Sequence, residues 1–95
     1  MYTIEITKRF EKDLKKYKKK HYDLSIVYDA VEHLQNDNRN ILKTKYKDHQ
    51  LKGEWDGFRE LHLSNDWLLV YMVNNDKLIL TLTRMGSHDD LGLNW

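Results

Sequence analysis

From Gly57 onward the hydrophobic period of this chain is two: "FRELHLS", "WLLVYMV" and "KLILTLTR" follow one another with only "ND" near residue 65 and "NND" near residue 75 between them. Alternating runs joined by short polar turns pair as hairpins, so the C-terminal half is bound to an antiparallel meander of three strands. The N-terminal half follows other periods. "YTIEI", residues 2–6, alternates and reads as a further strand, and Thr7 is placed to cap a helix. In that helix Phe10, Leu14 and Tyr17 form a narrow apolar stripe, with lysines over the rest of the circumference. Asp23 is positioned to cap a second helix, in which Leu24, Val27, Val31 and Leu34 make one stripe, widened by Ile26 and Ala30. "QNDNRN" then breaks the pattern, and an irregular segment with room for short helical or extended pieces runs to Gly53. The expected fold is α+β, with two N-terminal helices packed on one face of a four- to five-stranded, mainly antiparallel sheet. With 95 residues and 40% hydrophobic content, residues 1–95 make one domain with one modest core, and the second sheet face is left exposed or put to use.

Charge is balanced overall and segregated locally. Residues 8–20, "KRFEKDLKKYKKK", hold eight of the 16 Lys and Arg against Glu11 and Asp13, a local +6 that the remainder offsets with −5. A lysine-rich helix face is ordinarily a solvated surface, but on a small domain it is also the footprint of a nucleic-acid contact, with Lys15, Lys16 and Lys19 on the exposed side. The chain has no cysteine, which removes disulfides, thiol nucleophiles and thiolate metal sites and fits a reducing cytosol. The start "MYTIEITKRF" lacks the apolar core of a signal peptide and no run reaches membrane-spanning length, so a cytoplasmic protein is expected.

Strand parity puts Leu61 and Leu63 on the inward face of "FRELHLS" and Glu60 and His62 on the other, where an uncovered histidine stays hydrated and titrates near about 6.5. More such groups gather around it: His49 before the sheet, Asp66 and Trp67 at the turn, Arg84 at a strand end and His88 beyond. Arg84 shares its parity with Leu78, Leu80 and Leu82, so a bulge or an uncovered strand end is needed to turn it outward. His21, in the interhelical turn, and His33, off the apolar stripe, are read as surface residues. Metal binding is disfavoured, because separations of 13 and 26 residues among His49, His62 and His88 match no compact ligand pattern, although ligands from separate strands can still converge. Ser64 and Ser87 lie near histidines but outside any nucleophile elbow. Cleavage of RNA suits the group better, since RNA carries its own nucleophile in the 2′-hydroxyl and asks the protein only for a base, an acid and a cation. No cofactor is called for.

Tyr46 to His88 resembles the YafQ branch of the RelE-like bacterial toxins, in "DHQLKG", the "RELH" strand, the "NDWLLVY" hairpin and the "TRMGSH" end, in that order. The upstream strand and two helices agree with that family's fold. The resemblance implies a type II toxin: an mRNA interferase that cuts mRNA in the ribosomal A site, contacts rRNA, and is held inactive by a cognate antitoxin. The toxin alone is expected to be a monomer, with a larger complex once the antitoxin binds. Family functional positions fall on His49, His62, Asp66, Arg84 and His88, with Glu60 and Trp67 in support. One position departs from the family: the chain ends "HDDLGLNW", with Gly92 where relatives carry an aromatic, which leaves Trp95 as the candidate replacement.

On this resemblance, His62 or Asp66 takes the 2′-hydroxyl proton, His88 protonates the departing 5′-oxygen, and Arg84 neutralises the phosphorane. His49 orients the phosphate or shares the base role. Trp67 either stacks on a nucleotide or packs in the hairpin core, and Tyr71, on the same face, carries the same alternatives. Two other readings use the same scaffold: a ParE-like toxin that binds gyrase, for which the His, Asp and Arg group has no use, and a catalytically impaired toxin that serves mainly to bind its antitoxin.

Overall fold

A computed structural model describes residues 1–93. The elements run β1 (Thr3–Ile6), α1 (Lys8–Lys19), α2 (Ser25–Gln35), α3 (Arg39–Thr44), β2 (His49–Gln50), a 3-10 turn (Gly53–Trp55), β3 (Arg59–Ser64), β4 (Trp67–Asn74), β5 (Ile79–Gly86) and α4 (His88–Leu91). The sheet has the order β1-β5-β4-β3-β2. The meander is antiparallel as expected, and β1 joins it parallel to β5. Thr7 caps α1, its hydroxyl oxygen accepting from the Phe10 N–H at 3.0 Å. Asp23 stands one residue too early to cap α2, whose N-cap position falls on Leu24 with no side-chain cap bond; its carboxylate instead makes a turn, accepting from the Ser25 N–H at 3.0 Å. The segment expected to be irregular holds α3 and the short edge strand β2. Its "NDNR" run breaks α2 but leaves Leu42 free to bury, and that burial holds α3 in place.

The main core lies between the two long helices and one face of the sheet, with Phe10, Tyr17, Val27, Ala30 and Leu34 from α1 and α2 meeting Leu61, Leu69, Leu80 and Leu82. Trp67 and Tyr71 belong to this core. Trp67 is 3% exposed and stacks on Tyr17 at 5.6 Å, with Tyr22 edge-on at 4.9 Å, and Tyr71 is fully buried. Neither ring can present a face to a nucleotide, which corrects the stacking alternative. Both share the face of Leu69 in this core, where Tyr17 of α1 covers Trp67 and Asp48 accepts from the Tyr71 hydroxyl.

The second sheet face is not open either. Leu51, Leu68, Val70, Leu91 and Leu93 form a smaller cluster there, with Trp55 and Phe58 packed against it. Beside this cluster Glu60 is fully buried and His62 half-buried, which corrects the expected exposure of Glu60 and reduces that of His62. Alternation within a strand gives the face a residue takes, but not what the C-terminal segment lays over that face.

Candidate active site

The register of the meander assembles the site. His49 on β2 pairs with Glu60 on β3, and Glu60 pairs in turn with Val70 on β4, whose other neighbour is Arg84 on β5. Directly paired residues share a face, so His49 and Glu60 stand side by side in one row, while Arg84, at the far end of that row, turns its guanidinium to Asp13 of α1. The bulge that Arg84 requires is present: Val70 opposes Arg84 but Tyr71 opposes Leu82, which leaves Thr83 as the extra residue.

Two carboxylate–imidazole pairs stand side by side in this site. Glu60, with its side chain fully buried, places Oε1 at 3.0 Å from His62 Nε2. The contact becomes an ion pair when the ring takes a proton. The second pair is Asp66 with His88. Asp66 Oδ1 accepts from the His88 backbone N–H at 3.0 Å and from Nδ1 at 2.7 Å, and these two bonds hold its pKa below the ordinary carboxylate value. The His62 ring lies 6.0 Å from that of His88 and 6.0 Å from that of His49, so His62 has an imidazole neighbour in each of the other two. Burial, followed by the like charges of His49, His88 and Lys47, lowers the pKa of His62 below 6.5. His62 is thus a neutral base at physiological pH.

His49 is held from behind. Its Nδ1 meets the Lys47 carbonyl at 2.8 Å, and a carbonyl only accepts, so the neutral ring carries its lone pair on Nε2. The residue before it is an anchor: the Asp48 side chain is 1% exposed and accepts from Arg59 Nε and Nη2 at 2.8 and 2.6 Å, and from the Tyr71 hydroxyl. Burial, with Asp48 alongside, pushes the Tyr71 hydroxyl pKa up. A strand of two residues has few ladder bonds of its own, and this buried pair fixes where it lies.

Arg84 is directed by α1. Its Nε and Nη2 donate to Asp13 at 2.9 and 3.3 Å, and Asp13 also accepts from the Met85 N–H at 2.9 Å. Neither Asp13 nor Asp48 figured in the sequence-based site. Asp13 did carry a signal, a carboxylate three residues after Phe10 and four before Tyr17 on the buried stripe of α1, whereas Asp48 stands in a stretch with no period to violate. Of the lysines, Lys15 pairs with Glu11 at 3.8 Å and Lys16 with Asp90 at 3.2 Å, while Lys12, Lys15, Lys16, Lys19 and Lys20 line an open cleft of about 430 Å³. His21 is exposed, and His33 is half-buried beside Tyr46, bonding to Asn38 at 3.0 Å. Gly92 closes α4 at φ 69°, a left-handed conformation in which an aromatic would be strained. Trp95 lies outside the described residues.

His49, Glu60 and His62 can also hold a divalent ion, since one donor atom from each lies within 4.8 Å of the others. Glu60 Oε1 is 3.0 and 3.7 Å from the two Nε2 atoms, close to the donor spacing of about 3.3 Å around a tetrahedral ion with bonds of about 2.0 Å. The linear separations that argued against a metal do not bear on ligands brought together by strand pairing.

Residues 2–92 match the family model described as a bacterial toxin of type II toxin-antitoxin systems, YafQ. The chain is 39% identical over 85 residues to the mRNA interferase toxin YafQ of Escherichia coli, covering 90% of this chain and 89% of that protein. A metal-bound toxin from Helicobacter pylori superposes with a TM-score of 0.88 at 46% identity, over 96% of this chain and 99% of that one. A chain of the Escherichia coli DinJ-YafQ complex superposes with a TM-score of 0.84 at 32% identity, over 96% and 98%.

Proposed function

This chain belongs to the YafQ family of bacterial toxins of type II toxin-antitoxin systems, and on that premise we propose that it is an mRNA interferase that cuts by attack of the substrate's own 2′-hydroxyl. The single observation that carries the reading is the pair of carboxylate–imidazole couples, Glu60–His62 and Asp66–His88, set ring to ring at 6.0 Å. Two imidazoles in unlike surroundings are what an acid and a base acting on one phosphate require.

His62, neutral at physiological pH, takes the proton from the 2′-hydroxyl as its oxygen bonds to phosphorus. The imidazolium that forms lies against the buried Glu60 carboxylate, which stabilises the charge where it develops. The bond from phosphorus to the 5′-oxygen then breaks, and His88 supplies the proton that makes the leaving group a 5′-hydroxyl. Asp66 occupies Nδ1 of His88, so the transferred proton comes from Nε2. That nitrogen is buried in the free chain, so the RNA has to displace its cover to reach it. The products are a 2′,3′-cyclic phosphate and a 5′-hydroxyl. Arg84, turned by Asp13, is assigned to the phosphorane charge, and His49 to orienting the phosphate, which it does in its protonated form by donating from Nε2 while Nδ1 stays on the Lys47 carbonyl. A divalent ion bound by His49, Glu60 and His62 would add positive charge at the phosphate and would occupy Nε2 of both rings.

The substrate is assigned as mRNA in the ribosomal A site, with the lysine ridge of α1, Lys15, Lys16 and Lys19 included, against rRNA. A cognate antitoxin and a cytoplasmic location follow from the family, and no helix among the described residues is long and apolar enough to cross a membrane. The test is primer extension on mRNA after brief induction. The parent should give codon-positioned cuts that vanish in His62→Ala and His88→Ala. Growth arrest that persists in both variants would refute the nuclease reading.

A further inference from the structure

Beside His49 lies an open cleft of about 420 Å³ lined by Arg39, Lys43, Asp48, His49, Gln50 and Arg59, with neither His62 nor His88 in its wall. Three cations and one carboxylate make its wall. Asp48 is buried and spent on Arg59, and Asp37 pairs with Arg39 Nε at 2.7 Å from behind the cleft. Lys43 is exposed, and no carboxylate among the described residues lies within ion-pair reach of it. The Asp48 bonds fix the Arg59 guanidinium, so a cationic wall stands preformed beside His49. A cationic pocket contiguous with a phosphodiester-cleaving site fits a second phosphate of the same strand.

We propose that this cleft is a phosphate subsite for the RNA, taking the phosphodiester on the 5′ side of the nucleotide that supplies the 2′-hydroxyl. The direction comes from the imidazoles. His88 serves the departing 5′-oxygen, so the downstream nucleotide lies beside it, and the cleft, with His49 but neither His62 nor His88 in its wall, is left to the upstream strand. Lys43 is the main contact, with Arg39 beside it. The inference rests on the mRNA interferase reading.

The experiment follows cutting of mRNA on programmed ribosomes by the parent, Lys43→Gln, Lys43→Arg and, as an equal change of charge in the β4–β5 turn, Lys77→Gln. Each is run on natural mRNA and on mRNA with an uncharged methylphosphonate at the phosphate named. Lys43→Gln should lower kcat/KM about tenfold on natural mRNA, as loss of a charged contact does, and the methylphosphonate should slow the parent about as much. Combined, the two changes should cost no more than either alone. Lys43→Arg should keep most of the activity, and Lys77→Gln should match the parent. The slope of log kcat/KM against log salt should fall by about 0.7 in Lys43→Gln.

Parental rates in Lys43→Gln, or a methylphosphonate penalty undiminished in that variant, would overturn the subsite while leaving the nuclease reading intact. Parental cutting by Lys43→Gln together with a weaker antitoxin complex would instead assign the cleft to an acidic group of the antitoxin. A parent that does not cut, or His88→Ala cutting as well as the parent, would remove the nuclease reading and the subsite with it.

Discussion

Replacing Glu60 by Gln removes one charge from a fully buried side chain and leaves its volume almost unchanged, so it isolates the electrostatic part of the site. In the free chain His62 is neutral, and the carboxylate at 3.0 Å gains most when the ring takes the proton in the transition state. A hydrogen bond to a charged group contributes about 1.5–3 kcal/mol, and the bare attraction at this separation with an effective dielectric constant near 20 is about 5.5 kcal/mol. At about 1.4 kcal/mol per factor of ten, kcat should fall by about 10- to 150-fold, with an outer bound near 10⁴. Glu60 is walled in by strands and touches no substrate, so the loss should appear in kcat and not in KM. Glu60 is also the neighbour that favours the charged form of His62. Its removal should drive the pKa further below 6.5 and move the acid limb of the pH–rate profile to lower pH. The assay is single-turnover cutting on programmed ribosomes across a pH series, with thermal unfolding to confirm that the variant folds. Cutting within twofold of the parent and an acid limb that does not move would refute the base assignment of His62.

The other expectations can be checked together. Because the folded pKa of His62 lies below its unfolded value, the unfolded chain binds the proton first; the midpoint of thermal unfolding should fall as pH drops below about 6.5, and His62→Gln should flatten that decline. Asp66, whose folded pKa is also lowered, contributes stability that is lost only at lower pH, below about 3.8, so the two windows separate in one titration. Asp48→Ala leaves two guanidinium groups without their buried partner and should destabilise the fold by about 3 kcal/mol in denaturant unfolding, a loss that Lys43→Gln should not share. Added Zn²⁺ or Cu²⁺ should inhibit cutting and shift the His49 and His62 ring resonances while leaving those of His21 in place, and a chelator should reverse both effects.

The meander, the two N-terminal helices and the convergence of His49, His62, Asp66 and His88 could all be read from the sequence, because period, turns and strand pairing fix them together. Strand pairing also resolves Arg84, whose parity conflict marks the bulge at Thr83. What the sequence left hidden is what covers what. Glu60 and His62 look hydrated by alternation alone, but Leu91 and Leu93 return from a helix of four residues to pack on that face. Trp67 and Tyr71 have the size and polarity of stacking residues, and only tertiary packing makes them core, Tyr17 of α1 against Trp67 and Asp48 against the Tyr71 hydroxyl. Asp48 shows the same limit, since its importance comes from Arg59 and Tyr71, 11 and 23 residues away, and nothing in the local sequence announces those partners.

Everything proposed for the chemistry requires the substrate's own 2′-oxygen as the nucleophile that His62 activates. The most direct measurement places a single 2′-deoxy nucleotide on the 5′ side of the cut in an otherwise natural mRNA and scores cleavage by the parent on programmed ribosomes. The expected result is no cut at that bond, with other sites in the same message still cleaved to 2′,3′-cyclic phosphate ends. An unchanged rate at the deoxy position would contradict it.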